Sequence, residues 1–347
     1  VAGPTFRVAG EDLGQRLSPS LRQVESALAS RHGTLPKGLS FTLGFDKAGY
    51  PIARNGQALS GTAALLAEGA LSGAIPTASA LAVVGEDGKL ELPPRFWQTL
   101  RALSALPAGG RLILPDQAAE YLTALVVLDD AAFFMKNEVL LAGSVDEIWN
   151  LAAASPEAEV ADGLKRFDEI RKVGQDKPLG TFVAHPATQQ RLRELVALMP
   201  EHASARLLAL QGSGSRPRFL QRSILAREIR SALEPVGYVT ERNPNGLDPG
   251  RLETLREASR EKLERLAGYI DIRDRDLHKA ALDTTDSLRT LIRLLPKKDP
   301  DNPVGQMKKQ FEAYQESYRR YIRVMQELTA AAGDAEDFPP PQLPDDE

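Results

Sequence analysis

Ser60 stands in "ARNGQALSGTAALL", a small-residue turn at 53–66 running into an Ala- and Leu-rich stretch. A serine hydroxyl at such a turn can attack a carbonyl, provided that a neighbouring base takes its proton. The supply of bases nearby is thin. Lys89 is the only lysine between residues 48 and 135, and Arg95 and Arg101 stay protonated and cannot serve. His32, His185, His202 and His278 are widely scattered, and none has a second histidine or a carboxylate at metal-ligand spacing, so neither a metal site nor a bound cofactor is expected. The absence of cysteine removes disulfides, thiolate catalysis and thiolate metal ligation.

A second stretch, "GSGSRPRFLQRSILAREIR", offers an anion-binding alternative. Gly212 and Gly214 could free backbone amides, with Arg216, Arg218, Arg222, Arg227 and Arg230 following. No lysine follows the glycines, so this is not a Walker loop. Arg222, Arg227 and Arg230 also suit the solvent face of a helix whose inner face is Phe219, Ile224, Leu225 and Ile229.

The elements that must position these residues read as mixed α and β up to about residue 155. Ser18-Pro19 suggests a helix start, Gly33 its stop, and "LSFTLGF" (39–45) a strand with a return strand from "YPI". Residues 60–71 read as a buried helix and "SALAVVGE" as a strand. "EDGK" reads as a hairpin turn and "KLELP" as the partner strand. A helix at 95–106 precedes "RLILP" (strand), 116–121 (helix), "ALVVL" and "EVLLAG" (strands). The last helix starts at Ser144, with Glu147 at capping-box spacing. Helices and short strands alternate without a repeating βαβ rhythm, which favours an α+β layer fold.

Beyond 155, helical periodicity takes over. Residues 187–200 and 203–211 form a helix pair whose joint resembles that between tetratricopeptide units, although one joint makes no array. A helix at 219–233 ends at Glu234-Pro235, and the turn-rich 241–250 is the expected linker. Long amphipathic helices fill 251–332. In the last, Met307, Phe311, Tyr314, Tyr318, Ile322, Met325 and Leu328 form one apolar stripe, expected to be core. The expected division is therefore 1–155, 156–240, 241–250, 251–332 and a flexible acidic tail at 333–347.

Residues 1 to about 152 resemble the proteolytic domain of the Lon protease family. The matching pieces are Gly61 with the Ala-rich helix, "VGE" at 84–86, Leu92-Pro93, Gly109-Gly110, Leu114-Pro115 and the closing "DEIWNLA". The resemblance implies that fold and a Ser-Lys dyad. In the ungapped register, however, the serine position is Leu59, and the lysine run falls on Arg95 to Leu100, giving Gln98 and Leu100. Both halves of the dyad are missing, so no catalytic residue is expected. Such domains commonly assemble as rings, which implies self-association.

The expected function is that of a catalytically inactive, Lon-like pseudopeptidase that binds or scaffolds a protein partner or its own copies. Two alternatives compete: an ATP-independent serine peptidase rearranged around Ser60, and anion or nucleic-acid binding through Arg216, Arg218 and Arg222. No ATPase module is visible, so ATP is not an expected partner. The net charge of −4 is concentrated in the last fourteen residues, which hold six acids and no base, so the remainder gives no reason to expect a nucleic-acid partner. No apolar run approaches the roughly eighteen residues that span a bilayer. The first residue is Val, which leaves open whether a signal peptide was removed; localisation stays open, with the cysteine-free composition leaning toward a periplasmic or secreted setting.

Overall fold

The computed structural model describes residues 5–8, 14–33, 35, 40–43, 56–106, 109–128, 130–295 and 304–332. The expected return strand from "YPI" and the acidic tail lie outside these residues. The chain is mostly helical with a small parallel sheet, as an α+β class requires. It divides into two compact units, Val1–Arg216 and Pro217–Glu347.

The first unit begins with β1 (Thr5–Val8), α1 (Gly14–His32) and β2 (Ser40–Leu43), the two strands pairing in parallel. Helix α1 runs through Ser18-Pro19 instead of starting there, and it stops at Gly33, whose φ of +74° favours glycine. Then come α2 (Ser60–Ser72), β3 (Ser79–Ala80), β4 (Val83–Val84), β5 (Leu90–Glu91) and α3 (Phe96–Ser104). The expected single strand in "SALAVVGE" is thus two short ones in different sheets. Strand β4 makes the expected hairpin with β5 around Asp87-Gly88. Next are β6 (Arg111–Pro115), α4 (Ala119–Val127), α5 (Ala132–Lys136), β7 (Glu138–Ala142) and α6 (Val145–Leu151). Strands β3, β6 and β7 form one parallel sheet in that order, joined through helices.

"ALVVL" is helical, not a strand. Leu122, Ala124, Leu125, Val126 and Val127 are all buried in α4, and a helix apolar on every side shows no period that separates it from a buried strand. The capping residues of α6 behave as expected. Ser144 Oγ accepts from Glu147 N, and Glu147 Oε2 accepts from Gly143 N at 2.8 Å.

The unit continues through α7 (Ala158–Gly174), α8 (Leu179–Ala184), α9 (Pro186–Leu198) and α10 (Ala203–Gly212). These helices belong with the sheet because they satisfy its edge. On β7, Val139 N donates to Ser204 Oγ at 2.8 Å and Leu141 N to Glu201 O at 2.9 Å. Ser204 Oγ in turn donates to Asn137 O at 2.8 Å. The α9–α10 joint covers the open edge of the strand as a further strand would, so the change in composition near 155 marks no boundary.

The second unit holds α11 (Arg222–Gly237), α12 (Pro249–Leu266), α13 (Arg275–Ile292) and α14 (Val304–Ala332). The turn-rich 241–250 lies within this unit, so it does not separate domains. Helix α11 starts at Arg222, leaving Phe219 47% exposed, and it continues past Pro235 to Gly237. The terminal carbonyls of α11 and the turn after it are capped by side chains. Tyr314 Oη donates to Val236 O at 2.8 Å, Thr240 Oγ1 to Gly237 O at 2.8 Å, and Gln315 Nε2 to Thr240 O at 3.0 Å. The middle of the expected stripe is core: Tyr314, Tyr318, Ile322 and Met325 are buried, joined by Tyr321, whereas Met307, Phe311 and Leu328 are half-buried.

Candidate functional site

Ser60 is the first residue of α2 and is fully buried. Its hydroxyl lies 2.8 Å from Gln57 O and 3.3 Å from Ala82 O, both acceptors for its single proton. The same oxygen accepts from Val84 N at 2.8 Å. The hydroxyl therefore ties the turn before α2 to β4, and its lone pairs face backbone, not a cleft. An attacking oxygen must reach both substrate and base. Buried among backbone groups, this one reaches neither.

Gly61 explains how the helix lies so close to the strands. Its N–H donates to Ala82 O at 3.1 Å, and a Cβ there would sit 3.2 Å from both Ala80 Cβ and Ala82 Cβ. Leu59, at the expected serine position, is half-buried. On α3, Phe96, Trp97 and Leu100 face the core while Gln98 is exposed. The two expected lysine positions thus lie in different surroundings, one in packed hydrocarbon and one in solvent. Neither carries an ionisable group.

No family model, curated protein or solved structure matches this chain. Its functional reading therefore rests on its own residues.

The fold creates one polar cluster that the sequence does not announce. Glu138 and His202, 64 positions apart, meet at 3.4 Å between Oε1 and Nε2, with 3% and 0% of their side chains exposed. His202 Nδ1 accepts from Ala205 N at the start of α10, which leaves Nε2 as the donor nitrogen of the neutral ring, and Nε2 and Glu138 Oε1 approach without the geometry of a hydrogen bond. The imidazole packs on Phe167, ring centroids 4.3 Å apart. Arg111 Nε donates to the other Glu138 oxygen at 2.7 Å, and Arg111 Nη1 reaches Thr77 Oγ1 at 3.0 Å. Burial raises the Glu138 pKa, but the nearby His202 ring and the charge and hydrogen bond of Arg111 outweigh it and hold the carboxyl below its ordinary range. The arrangement fastens β6, β7 and α10 together. Among the described residues no group of histidines and carboxylates is arranged to hold a metal ion.

The arginines of the expected anion site belong to two units, Arg216 to the first and Arg218 and Arg222 to the second. Arg216 Nη1 points to Val126 O at 3.5 Å within the first unit. Arg222 pairs with buried Asp274 at 2.7 Å within the second. Arg218 is exposed, whereas Arg227, expected on the solvent face, is 6% exposed. Ser213 N and Ser215 N donate to Ala209 O and Ser213 Oγ, so those two amides of the glycine-rich turn are engaged locally. The other histidines have structural settings. His185 Nδ1 caps α9 by accepting from Ala187 N, His32 meets Glu68 at 2.5 Å, and His278 Nε2 lies 2.7 Å from Leu263 O. No described helix is long and apolar enough to cross a membrane.

Proposed function

We propose that this chain is a catalytically silent protein with a Lon-type proteolytic domain, working by association with a protein partner or with its own copies. The observation that carries the reading is the state of Ser60, the hydroxyl adjacent to the expected nucleophile position, which is enclosed and bonded to backbone. A helix-entering turn keeps its small residues for packing when the chemistry is gone. A half-open groove of about 290 Å³ supplies surface for association. It is lined by Leu65, Ile75, Pro76 and Trp149, with Arg31 and Glu68 also in the lining, and Ile75 is 85% exposed.

Two measurements test the proposal. Unfolded casein incubated with the chain, without nucleotide, should give no more fragments than with a Ser60→Ala variant; Ser60-dependent cleavage would overturn catalytic silence. Sedimentation velocity over a concentration series should show association that weakens in Ile75→Asp. A monomer at every concentration would remove self-assembly and leave only a separate partner.

A further inference from the structure

A pocket of the first unit lies away from Ser60, among α5, α7 and the segment leading into α8. It is an open pocket of about 700 Å³, within the size range of small-molecule sites. Its described lining carries Lys136, Arg171, Lys172 and Lys177, with Asp168 the only carboxylate among the described residues. The local charge is therefore about +3, in a chain whose net charge is −4. Asp168, Arg171 and Lys172 fall at helical spacing, so α7 presents them along one face, continued by Gln175 at its C-cap.

Two of the four cations are held in place. The Arg171 guanidinium donates through Nε to Met135 O at 2.9 Å and through Nη2 to Lys136 O at 3.0 Å, neutralising the carbonyl end of α5. Its Nη1 lies 3.7 Å from Asp168 Oδ1, so that acid leans on the cation that already has other partners. Lys177 Nζ rests 5.6 Å from the centre of the Phe182 ring. Gly174 lets Met135 approach the wall, since a Cβ there would lie 2.8 Å from Met135 Cε. Ala132, Met135 and Leu179 give the pocket an apolar side. Cations on one side and hydrocarbon on the other match an organic molecule that bears clustered oxyanions.

We infer that this pocket binds a small organic molecule carrying two or more adjacent phosphate or carboxylate groups, with Lys172 and Lys177 supplying the exchangeable charge. The inference is independent of the catalytic reading, because the pocket shares no residue with the Ser60 site. The test is isothermal titration of the full chain with inorganic triphosphate and, separately, with citrate, at fixed ionic strength. At least one probe should bind saturably, and which one does so distinguishes a phosphate from a carboxylate ligand. The double substitution Lys172→Gln, Lys177→Gln alters exposed side chains only and should weaken that binding tenfold or more. Arg218→Gln, an exposed cation of the other unit, should leave it unchanged. Absence of binding by either probe, binding indifferent to the double substitution, or an equal loss in Arg218→Gln would overturn the inference.

Discussion

Replacing Ser60 by alanine gives opposite signs under the two readings of that residue. In the structure the hydroxyl receives the Val84 N–H at 2.8 Å and donates toward Gln57 O or Ala82 O, with no solvent access. Alanine fits the space but leaves the Val84 N–H buried without its partner. Such an orphaned group costs about 1–3 kcal/mol, and the lost donation falls on carbonyls that tolerate it better. A destabilisation of about 2 kcal/mol corresponds to a melting temperature lowered by roughly 4–8 °C for a unit of this size. A catalytic serine behaves differently, because active sites hold polar groups at a cost to stability, and their removal is commonly neutral or stabilising. The assay is thermal unfolding of both proteins followed by circular dichroism, with urea midpoints as the cross-check. An unchanged or raised melting temperature in Ser60→Ala would refute the structural role argued for this hydroxyl.

Further expectations follow from the two units separately. Glu138→Ala leaves Arg111 and His202 without their shared carboxylate and should cost about 3 kcal/mol, read from the urea midpoint at pH 7. Because the folded-state pKa of Glu138 is depressed, its stabilisation is full above the ordinary carboxylate value of 4.5 and fades as the pH falls below it. The gap between wild type and Glu138→Ala should therefore narrow between pH 5 and pH 3 in urea titrations, and a constant gap would contradict the ionised pairing. In the second unit, Tyr314→Phe removes the hydroxyl that caps Val236 O and should cost about 1 kcal/mol, measured by chemical unfolding of the full chain.

Elements with a strong local signature were legible in the sequence. The capping pair Ser144 and Glu147, the Asp87-Gly88 turn, the Gly33 stop and the stripe through Tyr314 and Met325 each depend on residues a few positions apart. What failed was decided by distant partners. Helix α4 was hidden because burial on all sides erases its period. The extent of the first unit was hidden because Ser204 and Glu201, some sixty residues on, complete the edge of β7. The Glu138–His202 pair left only a weak trace, an unexceptional histidine at a helix start after Met199-Pro200. At the candidate site, the absence of an ionisable group at Gln98 and Leu100 was readable directly. The bonding of the Ser60 hydroxyl to Val84 N was not, since it depends on how closely Gly61 lets α2 approach the strands. The basic pocket was missed for a related reason: Lys136 and Lys177 lie far apart in sequence and are brought together only by packing of α5 against α7.

Covalent labelling probes the nucleophile question without assuming a substrate. The folded chain would be treated with a fluorophosphonate, which phosphonylates activated serines, and digested for mass spectrometry. The account predicts unmodified Ser60 at reagent concentrations that fully label a serine hydrolase control. A phosphonylated peptide bearing Ser60, formed only while the protein is folded, would contradict it.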